Sequence, residues 1–262
     1  MKIWKHGIIG ILVIFAFVFA FTACDDGNNT THTHQWGNWE ITTPPTFTSE
    51  GEETRICTLD PTHKETRTIA KLQPLDSIDS LTDYLNSLPA NTAATPYTIV
   101  LNVDDLTGIN DTLTGSSKYI DLYLSNSTLT CISMHGFADC PNLVNITIPD
   151  SVTEIGVGAF RGCTSLTGVN IPDSVTRILI AAFAGCNKLT SITIPKNMEV
   201  IGDVAFNGCT SLTSVTLEGT TNIVDTTGNT FPGDLREKYL AIGGGIGTYT
   251  RESGESAIWT KQ

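Results

Sequence analysis

The residues of this 262-residue sequence most capable of chemistry are four regularly spaced cysteines. They recur every 23 residues, at Cys140, Cys163, Cys186 and Cys209. Thiolates are good zinc ligands and paired thiols form disulfides, so a metal site or a set of cross-links is one interpretation. The constant interval favours another, because equivalent points of a structural repeat are packing positions and cysteine is among the most buried residue types. We therefore predict that the four side chains pack in a core.

A smaller group of nitrogen and sulfur donors lies towards the N-terminus, and a tetrahedral zinc site is one interpretation of it. Its members are His32, His34, Cys57 and His63. His32 and His34 belong to a polar segment that is rich in Gly, Asn and Thr, which is typical of a flexible tether. The further cysteines that would complete such a site are missing. We therefore predict no metal here.

No established catalytic arrangement occurs in the sequence. It contains no Gly-x-Ser-x-Gly, His-Glu-x-x-His, phosphate-binding or dinucleotide-binding motif, and nothing pairs His135 with a nucleophile. Asp104, Asp105 and Asp111 lack the spacing of an EF-hand calcium loop. The net charge of −12 argues against a nucleic-acid partner, because such binding depends on clustered Lys and Arg. We predict a protein that is not an enzyme and that needs no cofactor.

The first 24 residues contain a targeting signal. A basic start precedes an unbroken run of apolar residues and glycine over 7–21, which is shorter than the ~20 residues of a membrane-spanning helix. The Phe-Thr-Ala-Cys sequence that ends at Cys24 resembles the lipobox of bacterial lipoproteins, and this resemblance implies acylation of the Cys24 thiol. Ordinary cleavage after Ala23 is the alternative. We predict a signal peptide over 1–23, lipidation of Cys24 and a flexible tether over 24–34.

The elements that position the four cysteines follow from the same 23-residue period. It also relates four phenylalanines, at Phe137, Phe160, Phe183 and Phe206. In each unit apolar and polar residues alternate and a proline follows in three of them, as at 169–172, which predicts a short strand that ends there. The apolar positions from Ile178 to Phe183 predict a short helical or 3₁₀ return. One unit alone buries too little surface to fold, so we predict stacked coils with parallel strands, a mixed α/β solenoid.

This unit resembles the BspA-like, or Treponema pallidum-type, class of bacterial leucine-rich repeats. The matching motifs are Leu-x-x-(Val/Ile)-x-Ile-Pro, the Ile-Gly-x-x-Ala-Phe of 155–160 and 201–206, and Gly-Cys before the next strand. The resemblance covers about 119–217 and implies a leucine-rich repeat solenoid of about five coils. BspA-like proteins are implicated as adhesins that bind host matrix proteins or other bacteria.

Smaller segments flank the repeats. Residues 35–72 predict a small all-β module of three strands, from the runs at 36–42, 53–59 and 64–69. A helix over 80–88 and a strand over 97–103 predict an N-terminal cap within 73–118. A helix over 234–240 with Asp234 as its N-cap, and a hairpin of 247–251 with 257–261, predict a C-terminal cap within 218–262. We expect Tyr249 and Trp259 to pack inside this cap.

The side of the predicted strands that points away from the core is the candidate binding face. Its outward residues are Asn145, Thr147, Asn170, Ser191, Thr193, Ser214 and Thr216, with Gly168 among them. A nearly uncharged face of hydroxyls and amides is either a solvated sheet surface or a recognition surface. With the resemblance, we predict a monomeric, lipid-anchored adhesin that binds a protein on the outer surface of a bacterial cell. A structural envelope lipoprotein without an external ligand, located in the periplasm, is the alternative.

Overall fold

A computed structural model describes residues 34–43, 49–71, 73–124, 127–224, 226, 230–254 and 256–262. The predicted signal peptide, Cys24 and most of the predicted tether, with His32, lie outside the described residues. The chain divides into two compact units, Met1–Gln73 and Pro74–Gln262. In the part of the chain that the structure describes, no helix is long and apolar enough to span a bilayer.

The first unit contains one antiparallel sheet of three strands. Their bounds are β1 (Glu40–Thr43), β2 (Gly51–Ile56) and β3 (Lys64–Ile69), and β2 lies in the middle. A row of threonine hydroxyls crosses one face, from Thr42 to Thr54 at 3.4 Å and from Thr54 to Thr66 at 3.1 Å. A sheet of this size needs more than its backbone pairing to be stable.

Tryptophan and arginine side chains alternate beside this sheet and supply that stability. The Arg55 guanidinium lies 5.0 Å from the Trp36 ring centroid and 4.7 Å from that of Trp39, and the Arg67 guanidinium lies 4.2 Å from Trp39. Arg55 also pairs with Glu65, and Arg67 with Glu53, both at 2.5 Å. These cation–π contacts and ion pairs act where the sheet itself offers few apolar side chains.

The second unit is a solenoid whose coils each contribute one strand to a front side. These strands are β4 (Tyr97–Val100), β5 (Ile120–Tyr123), β7 (Leu143–Thr147), β9 (Gly168–Asn170), β11 (Ser191–Ile194) and β13 (Ser214–Leu217). Paired neighbours are parallel, and partners lie 23 residues apart in the repeats, for example Ile192 and Val215; β9 and β11 do not pair. The predicted solenoid of 23-residue coils is confirmed.

A second, two-residue strand in each coil forms a continuous back ladder. Its strands are β6 (Cys131–Ile132), β8 (Glu154–Ile155), β10 (Arg177–Ile178), β12 (Val200–Ile201) and β14 (Asn222–Ile223). After each one the chain turns, and successive amides alternate between the same coil and the next. The Ala159 amide bonds to Gly156 at 3.2 Å, whereas the Phe160 amide bonds to Ala182 at 2.7 Å. The return is therefore a run of turns and not the predicted helical segment, because every second amide bonds to the neighbouring coil.

The core of the solenoid is a column of stacked phenylalanine rings. Phe137, Phe160, Phe183 and Phe206 are fully buried, with consecutive ring centroids 5.1–5.2 Å apart and interplanar angles of 4–9°. Phe231 continues the column at 4.7 Å, although it lies 25 residues after Phe206. The column and the back ladder thus extend past residue 217, where the regular sequence period ends.

Helices and an antiparallel hairpin cover the two ends of the solenoid. The helices are α1 (Ile78–Ser87), α2 (Ile109–Gly115) and α3 (Leu235–Leu240), and the hairpin strands are β15 (Gly247–Thr250) and β16 (Thr260–Lys261). β15 pairs antiparallel with β13, and Tyr249 and Trp259 are buried inside this cap. The Asp234 carboxylate accepts the Trp259 amide at 2.8 Å and makes no bond to an α3 amide. α2 was not predicted from the sequence.

Candidate functional site

The outward side of β7, β9, β11 and β13 forms the front face, and all seven residues predicted for it lie there. Alternation along the strands produces this arrangement, since Ile146, Ile192 and Val215 point inward and are buried. One column of the front face contains Asn145, Gly168, Ser191 and Ser214, and the other contains Thr147, Asn170, Thr193 and Thr216. The front face therefore shows short polar side chains in two regular columns.

Two of the predicted residues bond to other parts of the protein. The Asn145 amide donates to the Asp121 carboxylate at 2.7 Å, and its carbonyl oxygen lies 3.1 Å from the Thr167 hydroxyl. The Thr216 hydroxyl lies 3.0 Å from that of Thr248 on β15. These bonds fix the two ends of the front face and leave its polar groups there less available to a ligand.

Three residues in the middle of the front face have hydrogen-bonding groups available for a ligand. Asn170, Ser191 and Thr193 are exposed, and in the described parts of the chain their side chains make no hydrogen bond to the protein. They bring one amide and two hydroxyls, which together donate and accept. This central patch, Asn170 with Ser191 and Thr193, is where the front face offers most to a partner.

The front sheet is interrupted at the same place. β4, β5, β7 and β9 form one sheet and β11, β13, β15 and β16 form another, so no ladder joins β9 to β11. The Thr167 amide bonds to Val144 and the Thr213 amide to Thr190, both at 2.9 Å, but the equivalent Thr190 amide has no such bond to Thr167 among the described residues. The backbone groups at this break therefore lack the ladder partners that their equivalents have between the other front strands.

Gly168 keeps the surface open beside the break. A Cβ atom built there meets only the Asn145 side-chain oxygen, at 3.1 Å. Val169 is partly exposed, whereas the equivalent Ile146 and Ile192 are 2% and 3% exposed. The front face therefore has smaller side chains and looser packing at β9 than at β7 or β11.

The four repeat cysteines form part of the core. The thiols of Cys163, Cys186 and Cys209 donate to phenylalanine carbonyls of the preceding coil at 3.0–3.2 Å. Burial raises the pKa of Cys140 and of Cys209 to about 12, which keeps these thiols protonated near neutrality. The four thiols therefore act as buried packing groups with a hydrogen bond.

The N-terminal donors are partly brought together in the first unit. His34 stacks on Trp36 with a centroid distance of 4.7 Å, and the His34 and His63 rings meet edge to face at 4.9 Å. Cys57 is buried and bridges to Trp36 through the backbone. Within the described residues no group of three His, Cys, Asp or Glu side chains has the geometry of a metal site.

Two neighbouring residues enlarge the front face beyond the prediction. Tyr123 on β5 continues the threonine column and is 38% exposed, and Thr248 adds a hydroxyl from β15. Tyr123 fits the 23-residue period only after a one-residue insertion, and the pairing of β5 with β7 shifts by one residue at that point. Thr248 lies on an antiparallel strand outside the period, so the sequence contains no signal for its place.

Comparison with known families identifies one region of the chain. The model described as a BspA type leucine rich repeat region matches residues 115–232 in 6 copies. Among curated proteins, no match to the chain was found.

Solved structures of leucine-rich repeat proteins resemble part of the chain. The T. pallidum leucine-rich repeat protein is 31% identical, with 42% of this chain and 53% of that chain covered and a TM-score of 0.40. A Bacteroides capillosus leucine-rich repeat protein is 34% identical, with 35% and 64% covered and a TM-score of 0.31. A leucine-rich cell surface protein of Faecalibacterium prausnitzii is 23% identical, with 58% and 44% covered and a TM-score of 0.37. The chain therefore spans less than two thirds of each of these proteins.

Proposed function

Residues 115–232 belong to the BspA-type leucine-rich repeats, and from this premise we propose that the chain is an envelope protein that binds another protein through its front face. Leucine-rich repeat solenoids generally mediate protein binding. The partner that we propose is a host matrix protein or a bacterial surface protein, which makes the chain an adhesin. We further propose that acylated Cys24 anchors it to the membrane and that the solenoid lies on the cell surface.

The observation that carries this proposal is the central patch of the front face. Asn170, Ser191 and Thr193 are exposed and have hydrogen-bonding capacity that the described protein does not use. The sheet is open beside them, between β9 and β11. Solvated sheet surfaces commonly carry threonine, but a break in the ladder also leaves backbone donors and acceptors without ladder partners, and these favour a ligand.

Substitution of the central patch tests the proposal. We expect the Asn170→Lys/Thr193→Lys variant to bind matrix proteins at least about tenfold more weakly than the parent chain, because two ammonium groups would have to be desolvated without partners. The measurement is capture of the mature chain on immobilised fibronectin, laminin or fibrinogen. The affinity for any of these that captures the chain is then measured by titration.

A matched control places the same two charges elsewhere on the solenoid. Thr130 and Thr153 are exposed, lie 23 residues apart as Asn170 and Thr193 do, and belong to the back side of the coils. The Thr130→Lys/Thr153→Lys variant should bind like the parent. Equal binding by both double variants would exclude the front face as the site.

Protease shaving of intact cells tests the proposed location. A chain on the outer surface should lose its solenoid to an added protease, whereas a periplasmic spacer would survive. Mass spectrometry of the N-terminal peptide tests the proposed acylation of Cys24. An unmodified Cys24 would contradict the lipid anchor without affecting the front face.

A further inference from the structure

The loop between α3 and β15 exposes three large aliphatic side chains. Leu240 is 60%, Ile242 109% and Ile246 53% exposed. No charged residue occurs over 239–250, although 16% of the whole sequence is charged. Exposed apolar side chains are common singly, but three within seven residues form a patch that needs an explanation. We call residues 240–247 the aliphatic loop.

Backbone amides of the aliphatic loop are bonded within the cap. The Ala241 amide donates to the Glu237 carbonyl at 2.9 Å, the Gly244 amide to Ala241 at 2.8 Å and the Gly245 amide to Tyr239 at 2.8 Å. An exposed loop in water does not need such pairing, because water satisfies free amides.

Backbone carbonyls of the loop are bonded as well. The Lys261 ammonium donates to Gly243 at 3.2 Å and to Gly244 at 2.9 Å, and the Tyr249 hydroxyl donates to Gly245 at 2.7 Å. Both donors lie on the hairpin of β15 and β16. They hold the polar backbone of the loop towards the cap and leave the aliphatic side chains on the outside.

Two glycines set this shape. Gly243 and Gly245 have φ angles of 83° and 82°, and a Cβ atom built on either would meet nothing within 4 Å. They are therefore required for backbone conformation and not for close packing. The loop protrudes from the cap in a form fixed by glycine and by Lys261.

We propose that the aliphatic loop inserts into the surface of a lipid bilayer. In the hydrocarbon region a free backbone group is costly, and this loop already bonds its amides at 241, 244 and 245 and its carbonyls at 241, 243, 244 and 245. Lys238, which pairs with Asp234 at 3.8 Å, and Lys261, which bonds to the loop carbonyls, flank the loop. Side chains of this type sit at the level of lipid headgroups while their stems remain apolar. The inference rests on the proposed anchoring only in that the anchoring brings the chain to a membrane.

The alternative partner for the aliphatic loop is a pocket on another protein. The backbone pairing of the loop favours a lipid bilayer over such a pocket. A protein pocket offers its own donors and acceptors, so a loop bound there has no need of the three backbone bonds and the three bonds from Lys261 and Tyr249 that pair this one. The segment of α3, the loop and the hairpin, residues 235–262, contains four basic and three acidic side chains in a chain of net charge −12. Headgroup repulsion is therefore weaker here than elsewhere on the protein.

Fluorescence quenching by brominated lipid tests the insertion. The full chain and its Ile242→Trp variant are mixed with phosphatidylcholine vesicles whose acyl chains carry bromine, and the emission of the parent chain is subtracted. We expect bromine to quench about half or more of the emission that Trp at 242 adds, since an inserted side chain reaches ~5–10 Å into the headgroup and acyl boundary.

The matched control is Ile258→Trp, which lies in the same cap outside the loop and is 65% exposed in the parent. Its added emission should not be quenched. Equal quenching at both positions, or none at 242, would overturn the inference, and the second result is the one that a protein pocket predicts. Flotation of the chain with the vesicles reports anchoring separately. Flotation without quenching at 242 would support the lipid anchor and contradict insertion of the aliphatic loop. Quenching at 242 without stable flotation would support insertion of the loop and contradict the anchor.

Discussion

The repeat cysteines show how one side chain can serve both packing and hydrogen bonding. Cys163, Cys186 and Cys209 fill the space beside the phenylalanine column and donate to its carbonyls. Serine would keep the bond but bring a more polar group into a dry core, and alanine would leave a small cavity. Cysteine combines low polarity with a weak donor, which explains its recurrence at this point of the coil.

These buried thiols make stability fall at alkaline pH. The pKa of Cys209 is about 12 in the folded chain and is ordinarily near 9, so its stabilising contribution is complete below pH 9 and is lost as the pH rises towards 12. We expect the free energy of unfolding of the parent chain to fall more steeply over this window than that of Cys209→Ala. The difference in slope should be about 1.4 kcal/mol per pH unit, measured by urea titration.

The cavity left by alanine costs the same at every pH, so only the change in the difference between the two proteins reports the thiol. Parallel curves for the parent and Cys209→Ala between pH 9 and 11 would contradict the raised pKa. Below pH 9 the difference in free energy of unfolding between the two proteins should be constant and set by the lost volume, and it should shrink as the pH rises above 9.

A second residue-scale feature is the left-handed backbone at one point of each return. His135, Gly158, Ala181 and Val204 occupy it, with φ angles between 52° and 58°. Only one of the four is glycine. The repeated turn geometry therefore imposes strain on the other three, because a Cβ atom disfavours this conformation.

Neighbouring alanines allow this strain to be measured. Ala181 has a φ of 56°, whereas the adjacent Ala182 is fully buried and is not in the left-handed region. We expect Ala181→Gly to leave stability unchanged or raise it by up to about 1 kcal/mol, and Ala182→Gly to lower it by about 1 kcal/mol. Thermal unfolding followed by circular dichroism checks both. Similar losses in the two variants would show that the left-handed turn stores no strain.

At the scale of elements, the coils were predictable because each apolar register is repeated four times. A single strand of three residues such as β9 has little pattern of its own, but its place follows from the equivalent residues of its neighbours. The same logic fails for Phe231, because two extra residues precede it. It fails also for α2, whose seven residues hold only Ile109 and Leu113 as buried positions.

The break between β9 and β11 could not be predicted from the pattern. Val169 is apolar at the same register as Ile146 and Ile192, so the sequence implies an unbroken sheet. Whether two strands complete a ladder depends on small shifts between neighbouring backbones, which side-chain polarity does not encode. The seven front-face residues were therefore identified correctly as outward, while the difference among them became visible only in the structure.

The Arg251 side chain caps the solenoid at its C-terminal side. Its guanidinium donates to the carbonyls of Leu212, Cys209 and Thr210 at 2.5–3.4 Å, and the side chain lies against Trp259 in a buried position. The Arg251 side chain thus satisfies acceptors at the end of the last coil, where no further coil follows.

Removal of this guanidinium should be costly. We expect Arg251→Met to lower the free energy of unfolding by about 2–4 kcal/mol, because several buried carbonyls lose their donor. Arg161→Met is the control, since Arg161 is 54% exposed and pairs only with Asp139 at 3.1 Å, and it should cost less than about 1 kcal/mol. Equal losses in urea denaturation would refute the capping role of Arg251.

At the scale of the whole molecule, the two compact units are stabilised by different kinds of interaction. The solenoid buries a continuous column of aromatic rings, whereas the first unit depends on alternating Trp and Arg side chains. Cation–π contacts contribute less than a buried core, so we expect the first unit to unfold at lower denaturant concentration.

A variant of the first unit separates the two transitions. In a Trp259→Phe background, tryptophan fluorescence no longer reports the C-terminal cap, and circular dichroism is dominated by the solenoid. Arg55→Met should destabilise the fluorescence transition by about 1–2 kcal/mol and leave the dichroism transition in place. A joint shift of the two transitions would mean that the units fold as one.

Because every coil of the repeat meets its neighbours through the same phenylalanine, cysteine and back-ladder positions, adjacent coils are equivalent on that side. Recombination between two of the underlying gene segments would add or delete one coil and leave both caps intact. The length of the proposed binding face would then change in steps of one coil, while the residues that cover the two ends of the solenoid stayed the same.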